Sequence, residues 1–313
     1  MGVKTLKGIR AAGARLGLRT KLFAGIIVAL VLMVVMVGSF VLTNQQRLLR
    51  AMVADSLQAA QQVVESKLVG RAEQALGVSL AVAGMPEVIA AAASQDRAAI
   101  VDTVVAIYEE VHDTLGVDVL HIRAPYDTSL VRGQNPGVFG DVQSRGGILD
   151  AGREGRAIWG FDRGPFGMGM RGWAPIQDRG RIVGTVETNI PFTAQLLDEI
   201  HEAVGAELVV FVPSEEGYAQ LAATPGVQAV QELQNLTPDS ASVDQVRGHW
   251  AHSFLPVMSY DGVELAVVAV YQNTWPYQQM IRGQSLQLIA LLALGSALFI
   301  GLLVALPITM LAS

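Results

Sequence analysis

The chain of 313 residues has no cysteine and little charge. The absence of cysteine excludes thiol catalysis, iron–sulfur clusters and cysteine-ligated zinc. Charged residues make up 16% of the sequence, against roughly 25% in an average soluble domain. The formal net charge is −6, so the chain lacks the overall basic field that attracts nucleic acid. Hydrophobic residues reach 51%, which argues against a disordered chain.

Two uncharged stretches are long enough to cross a membrane. They cover residues 22–42 and residues 286–306. At 1.5 Å per residue, each helix would reach roughly 31 Å, about the thickness of the hydrocarbon core. The first stretch exceeds the roughly 7–15 apolar residues of a signal peptide, and no small-residue cleavage pattern follows it. We therefore expect a retained anchor, with a cleaved signal peptide as the alternative.

The charges beside the first stretch predict its orientation. Residues 1–21 carry six basic and no acidic side chains, and such flanks stay in the cytoplasm. Residues 43–285 then lie outside the cytoplasm. They contain all 28 acidic and 16 of the 22 basic residues and therefore carry a net charge of −12. A cysteine-free outside domain is typical of the bacterial periplasm. We expect a two-pass inner-membrane protein that ends in a cytoplasmic stub, residues 307–313. We also expect it to be a truncated form of a longer chain, with the alternative that the outside domain carries the whole function.

The outside segment has the pattern of an α+β fold. One apolar stripe with a period near 3.6 predicts a single long helix over residues 43–83, continuing out of the first span. The stripe would pack on the domain's own sheet or, alternatively, on a second copy of the chain as a coiled coil. It consists of Val53, Leu57, Ala60, Val64, Leu68, Ala72, Ala75, Val78 and Val82. Short strands and turn signals follow, with hairpins over residues 170–189 and 250–271.

The two hairpins resemble each other in sequence. Each reads aromatic residue, proline, β-branched residue, turn glycine and valine, starting at Trp173 and at Phe254. Such a repeat suggests two sheet modules, although both hairpins can also belong to one sheet. We expect a long helix and a membrane-distal module over residues 43–190, and a smaller membrane-proximal module over residues 191–285.

Several motifs of the first module carry a family resemblance through their order and spacing. They are GVDVLHIRAP at 116–125, SLVR at 129–132, NPGVFGD at 135–141, GMGMRGWAPI at 167–176 and GTVE at 184–187. Together they resemble the double Cache (PAS-like) sensor domains of bacterial methyl-accepting chemotaxis proteins and sensor kinases. The resemblance covers residues 44–215 well, whereas residues 146–163 depart from the family pattern. It implies a long N-terminal helix followed by PAS-like antiparallel sheets, a small-molecule ligand and a homodimer.

Two arginines are the first candidates for ligand contact. Arg132 and Arg171 lie in or beside strands among apolar neighbours, where a buried guanidinium needs a partner. A ligand carboxylate suits the fork of N–H groups, and the resemblance implies that these positions face the pocket of the first module. The alternative is an internal ion pair with Asp141, Asp162 or Glu187.

The remaining candidates are one histidine and four aromatic residues. His121 matches a histidine of the family motif and is expected in the pocket or in the core. Tyr126, Phe139, Trp159 and Trp173 would form walls of the pocket or belong to the core.

Other chemistry finds little support in the sequence. The G-x-G-x-x-G pattern at residues 167–172 is followed by a strand, whereas a dinucleotide site needs a helix there. His249 and His252 would point to opposite faces of a strand, which disfavours a shared metal. We expect no enzyme, metal or cofactor. The expected function is the extracytoplasmic sensing of an organic or amino acid by a transmembrane receptor. The alternative is a membrane-anchored protein-interaction domain without a small ligand.

Overall fold

The computed structural model describes residues 18–143, 146–164, 167–229, 238, 246, 247 and 249–309. The chain divides into two compact units, Met1–Ala54 with Thr274–Ser313, and Asp55–Asn273. Residues 1–17 of the expected cytoplasmic tail and residues 310–313 of the expected stub lie outside the described residues.

Unit Asp55–Asn273 begins with helices. α1 covers Leu18–Ala83 and enters this unit at residue 55, α2 covers Pro86–Ser94, and α3 covers Val101–Leu115. Gly116 ends α3 with a φ of 71°, a left-handed conformation that glycine adopts without strain. The single long helix over residues 43–83 is therefore confirmed.

Sheet 1 contains five antiparallel strands in the order β2-β1-β5-β4-β3. The strands are β1 Val119–Arg123, β2 Ser129–Arg132, β3 Ile158–Gly164, β4 Gly167–Asp178 and β5 Arg181–Pro191. A short helix, α4, covers Gly146–Glu154 between β2 and β3. On one face of the sheet, Leu120, Ile122 and Val186 are buried in a cluster with Val82 of α1 and Val88 of α2.

The apolar stripe of α1 packs on this sheet. Ser79 Oγ donates a 2.9 Å hydrogen bond to the Gly172 carbonyl oxygen, and Thr188 Oγ1 donates to the Ala75 carbonyl oxygen. A Cβ at Gly172 would lie 2.6 Å from the Ala75 carbonyl carbon, so only glycine lets β4 approach the helix this closely. Of the two alternatives for the stripe, the structure shows packing on the domain's own sheet.

Sheet 2 repeats the topology of sheet 1, with the order β7-β6-β10-β9-β8. Its elements are α5 Ala194–Val204, β6 Glu207–Ser214, β7 Gly217–Ala223, α6 Pro225–Ala229, β8 Val246–Arg247, β9 Trp250–Met258 and β10 Glu264–Asn273. The two hairpins with similar sequences, β4–β5 and β9–β10, thus lie in different sheets. The α+β fold with a long N-terminal helix and antiparallel sheets is confirmed, whereas the membrane-distal and membrane-proximal positions of the modules stay predictions.

The other unit contains residues 18–54 of α1 and a last helix, α7, over Trp275–Thr309. Both helices are long and apolar enough to cross a membrane. Apolar side chains such as Met36 and Phe40 are 68% and 70% exposed, which suits a lipid environment. Within this unit Ser285 Oγ donates to Gln45 Oε1.

Candidate ligand-binding site

The second face of sheet 1 collects polar side chains. Because successive side chains of a strand alternate between faces, His121 points away from the core to which Leu120 and Ile122 contribute. Strand pairing places His121 opposite Arg132 of β2 and Glu187 of β5. Glu187 is in turn opposite Trp173 of β4.

Glu187 is the centre of a buried ionic network on this face. Its carboxylate accepts a 2.6 Å hydrogen bond from Arg171 Nη1 and another from Arg123 Nη2. The side chains of Arg123, Arg171 and Glu187 are at most 1% exposed. Asp162, which is 17% exposed, reaches only to within 3.5 Å of Arg171 Nε. Two buried guanidinium groups thus share the Glu187 carboxylate, and Asp162 lies at a longer distance from one of them.

His121 connects this network to β2. Its Nδ1 lies 2.8 Å from Arg123 Nη2 and its Nε2 lies 2.8 Å from Ser129 Oγ. Because a guanidinium can only donate, Nδ1 accepts and Nε2 carries the proton. Burial, together with the neighbouring charge of Arg123, holds the pKa of His121 well below its usual value of 6.5. The imidazole is therefore neutral near pH 7.

Arg132 binds the loop that follows β2. Its two terminal nitrogens donate to the two Asp141 carboxylate oxygens at 2.8 and 2.7 Å, and Nη1 also donates to the Val138 carbonyl oxygen at 2.7 Å. The hydrogen bonds from Arg132 lower the pKa of Asp141 from 3.8 to about 2. Arg132 is thus held by a bidentate ion pair at the rim of the face.

Helix α4 covers the same face. Ile148 and Ala151 form a buried cluster with Trp173. A Cβ at Gly147 would lie 2.8 Å from the Trp173 ring, and one at Gly152 would overlap the Tyr126 side chain. The glycines let the backbone of α4 lie directly against aromatic rings.

Within the described part of the chain, the buried polar atoms of this face that have no hydrogen-bond partner include Trp173 Nε1, Arg171 Nε and Asn189 Oδ1. Buried polar atoms in folded proteins are satisfied in more than about 90% of cases. Two N–H donors, two residues apart on the same face of β4, thus remain available to an acceptor.

Most of the predicted site residues come together here. The polar face contains His121, Arg132, Arg171 and Trp173. Tyr126 packs against α4, the helix that covers this face. Phe139 does not lie on the polar face. It is 55% exposed, and its ring packs against Arg97, whose guanidinium carbon is 4.2 Å from the ring centroid. Trp159 pairs with Gly172, which places it on the opposite face, toward α1.

Two residues of the network, Arg123 and Glu187, were not among the ligand contacts predicted from the sequence. Arg123 was not predicted, although its position two residues after His121 places both on one face of β1. Glu187 was considered only as an internal partner, and the structure gives it that role. Across the described residues, no three His, Asp or Glu side chains are grouped closely enough to hold a metal ion.

Comparison with known proteins identifies the family. The family model dCache_3, described as "Double sensory domain of two-component sensor kinase", matches residues 50–248. The chain belongs to this family. The Cache resemblance of the sequence motifs is thereby confirmed, and the match includes every residue of the polar face and α4.

Solved structures similar to this Cache domain include three sensor domains. The periplasmic domain of Vibrio cholerae LuxQ is 16% identical, with a TM-score of 0.48, and the match covers 69% of this chain and 99% of that chain. The sensor domain of the V. cholerae histidine kinase DctB is 12% identical, with a TM-score of 0.47 and coverages of 72% and 98%. The ligand-binding domain of the Campylobacter jejuni chemoreceptor Tlp3, solved with L-valine, is 11% identical, with a TM-score of 0.46 and coverages of 75% and 96%. No curated protein matches the chain.

Proposed function

We propose that the Cache domain senses a small organic acid or amino acid, which it binds through a carboxylate on the polar face of sheet 1. Membership of a sensory family supports the sensing role. The observation that carries the site is the pair of buried donors Trp173 Nε1 and Arg171 Nε, both without a hydrogen-bond partner. A carboxylate oxygen is an acceptor that suits both atoms.

The charge of the face favours an anionic ligand. Arg123 and Arg171 share the buried carboxylate of Glu187, and the next carboxylate, Asp162, contacts Arg171 only at 3.5 Å. A ligand carboxylate would replace this longer contact and leave the Glu187 network intact. An amino acid would in addition place its ammonium group near Asp162.

Access to the face requires movement of α4. This helix begins with Gly146 and Gly147 and contains Gly152 in its interior, where a glycine costs about 1 kcal/mol relative to alanine. The local free energy of opening is therefore expected to be lower for α4 than for the sheet beneath it. Opening of α4 would admit the ligand, and closure over a bound ligand would be the first conformational consequence of binding.

The wider proposal concerns the whole receptor. The basic flank of residues 1–21 supports a cytoplasmic N-terminus, a periplasmic Cache domain and two spans in the bacterial inner membrane. Binding would favour one of two arrangements of the domain and shift α7 relative to α1. A homodimer and a non-catalytic role follow from the family resemblance and belong to the same proposal.

The site can be tested by thermal unfolding of the full chain in lipid nanodiscs with a panel of organic acids, amino acids and amines. A ligand at 100 times its Kd adds about 2.7 kcal/mol of stability, a shift of about 5–10 °C for a domain of this size. Trp173→Phe keeps an aromatic ring and removes the indole donor, so we expect it to weaken the shift. Trp250→Phe in sheet 2 is the matched control. A folded protein that responds to no compound would contradict the proposal.

One observation favours the alternative of a protein-interaction domain. The loop after β2 carries three exposed apolar residues. They are Val138, Phe139 and Val142, which are 49%, 55% and 63% exposed. An exposed apolar cluster of this kind is typical of a contact surface for another protein. Phe139→Ser would abolish partner binding in that case and leave any small-molecule shift unchanged.

A further inference from the structure

Tyr260 lies between two strands of sheet 2 in the sequence, but it contacts residues of sheet 1. It lies in the turn between β9 and β10. Its ring packs on the edge of Trp173 with a centroid distance of 5.3 Å and an interplanar angle of 63°. Its backbone N–H donates to the Phe161 carbonyl oxygen of β3 at 3.2 Å, next to a parallel bridge between Phe161 and Ser259.

Two glycines of the first module make room for this side chain. A Cβ at Gly160 of β3 would lie 2.6 Å from Tyr260 Cβ, and a Cβ at Gly146 of α4 would overlap the Tyr260 hydroxyl group. Tyr260 therefore lies against the first turn of α4 as well as against Trp173. It completes the cluster that Ile148 and Trp173 form beneath α4.

The turn that carries Tyr260 is held by local hydrogen bonds. The Ser259 N–H donates to the Val263 carbonyl oxygen at 2.7 Å, and the Val263 N–H donates to Ser259 Oγ at 2.9 Å. Gly262 has a φ of 85°, which glycine allows without strain. β9 and β10 are paired as far as the opposite end of the hairpin, at Trp250 and Asn273, with one register shift between Glu264 and Ala266. The turn that carries Tyr260 is thus continuous with the paired strands of sheet 2.

We propose that Tyr260 couples the two sheets by holding α4 closed over the polar face of sheet 1. Opening of α4 removes a contact that supports Tyr260 and so loosens the β9–β10 turn. Because coupling between two sites is reciprocal, loosening of the turn also releases α4. The last strand, β10, ends at Asn273, and α7 begins at Trp275. This coupling rests on the proposed role of α4 as the cover of a ligand site and adds the route by which α4 acts on sheet 2.

The test is amide hydrogen exchange of the full chain in lipid nanodiscs, without any ligand. In Tyr260→Ala we expect exchange in α4, residues 146–154, to accelerate on the order of tenfold, whereas β1 and β2 keep their wild-type rates. Trp250→Ala is the matched control, because Trp250 is an aromatic residue at the opposite end of the same hairpin and packs in a different cluster. It should leave α4 exchange unchanged.

A reciprocal variant tests the opposite direction. Ile148→Ala removes packing beneath α4 and should accelerate exchange in the turn over residues 258–264. If Tyr260→Ala destabilises the whole domain, β1 and β2 accelerate too, and the milder Tyr260→Leu then replaces it. Unchanged α4 exchange in a folded Tyr260 variant, or equal acceleration in Trp250→Ala, would overturn the coupling. Because no ligand is used, a negative ligand screen would refute the proposed function without affecting this result.

Discussion

Arg171 donates a 2.6 Å hydrogen bond to Glu187, and each of the two side chains is 1% exposed. Such a pair is costly to desolvate, and its attraction often only balances that cost. Arg123 shares the same carboxylate, and Asp162, which is 17% exposed, approaches Arg171 only to 3.5 Å. The proposed binding of an anion would give this costly buried arrangement a function.

Removal of the charge on Glu187 should destabilise the domain strongly. Glu187→Gln keeps the shape of the side chain but leaves Arg123 and Arg171 without their shared counter-charge. We expect a loss of about 3–5 kcal/mol in the free energy of unfolding, measured by urea denaturation. The control Glu202→Gln changes an exposed glutamate of α5 and should stay within about 0.5 kcal/mol. A similar small effect for both variants would show that the buried network is not maintained in solution.

His121 should make stability depend on pH. Its folded pKa is depressed by burial and then by Arg123, and the other charged neighbours are Glu187, Arg132 and Asp141. The unfolded chain takes up a proton below about pH 6.5, whereas the folded chain does not. Stability is therefore fully present above pH 6.5 and falls below it by up to about 1.4 kcal/mol per pH unit.

The contribution of His121 can be isolated by substitution. His121→Asn removes the titrating group, so its melting temperature should fall less steeply than that of wild type between pH 7 and pH 5. His249→Asn, at an exposed position, provides the comparison. Equal slopes in wild type and His121→Asn would contradict a neutral buried imidazole.

Replacement by alanine of a glycine that contacts α1 and of a glycine within α1 should change the stability of the domain in opposite directions. Gly172→Ala places a methyl group 2.6 Å from the Ala75 carbonyl carbon and should cost about 1–3 kcal/mol through overpacking. Gly70→Ala meets open space on the same helix and should add about 0.5–1 kcal/mol. Thermal unfolding of both variants tests the close approach of β4 and α1. A neutral Gly172→Ala would mean that the two elements are further apart.

Membrane orientation can be read by cysteine labelling, because the chain has no cysteine of its own. We expect a membrane-impermeant maleimide to label Asp102→Cys, at an exposed position of α3, in cells with a permeabilised outer membrane. Lys7→Cys should be labelled only after the inner membrane is disrupted. The reverse pattern would refute the orientation inferred from the basic flank.

Local periodicity accounts for the part of the fold that the sequence predicted well. The stripe from Leu57 to Val82 identified α1, because most of its residues are buried at the helical period, although Ser79 and not Val78 is fully buried. Local turn signals likewise predicted the hairpin over residues 250–271, which is the β9–β10 hairpin of the structure. Both signals come from residues that are close in sequence and need no knowledge of tertiary packing.

Tertiary packing explains what the sequence did not predict. α4 is rich in glycine, which disfavours a helix on propensity, and its contacts with Trp173 and Tyr260 come from distant parts of the chain. β7 has no fully buried residue and pairs with β6 alone, so its strand conformation comes from that pairing and not from a local pattern. Trp159 faces α1 because of the strand register, and a change of one residue reverses the face.

The central claim is that the polar face around Trp173 binds a carboxylate ligand. Fluorine NMR of the full chain in nanodiscs, labelled with 5-fluorotryptophan, gives a signal for each of the 4 tryptophans, and Trp173→Phe assigns the relevant one. Titration with the panel of organic and amino acids should produce a saturable shift of the Trp173 signal with at least one compound, while the Trp250 signal stays in place. Shifts confined to other tryptophans, or no shift with any compound, would contradict the account.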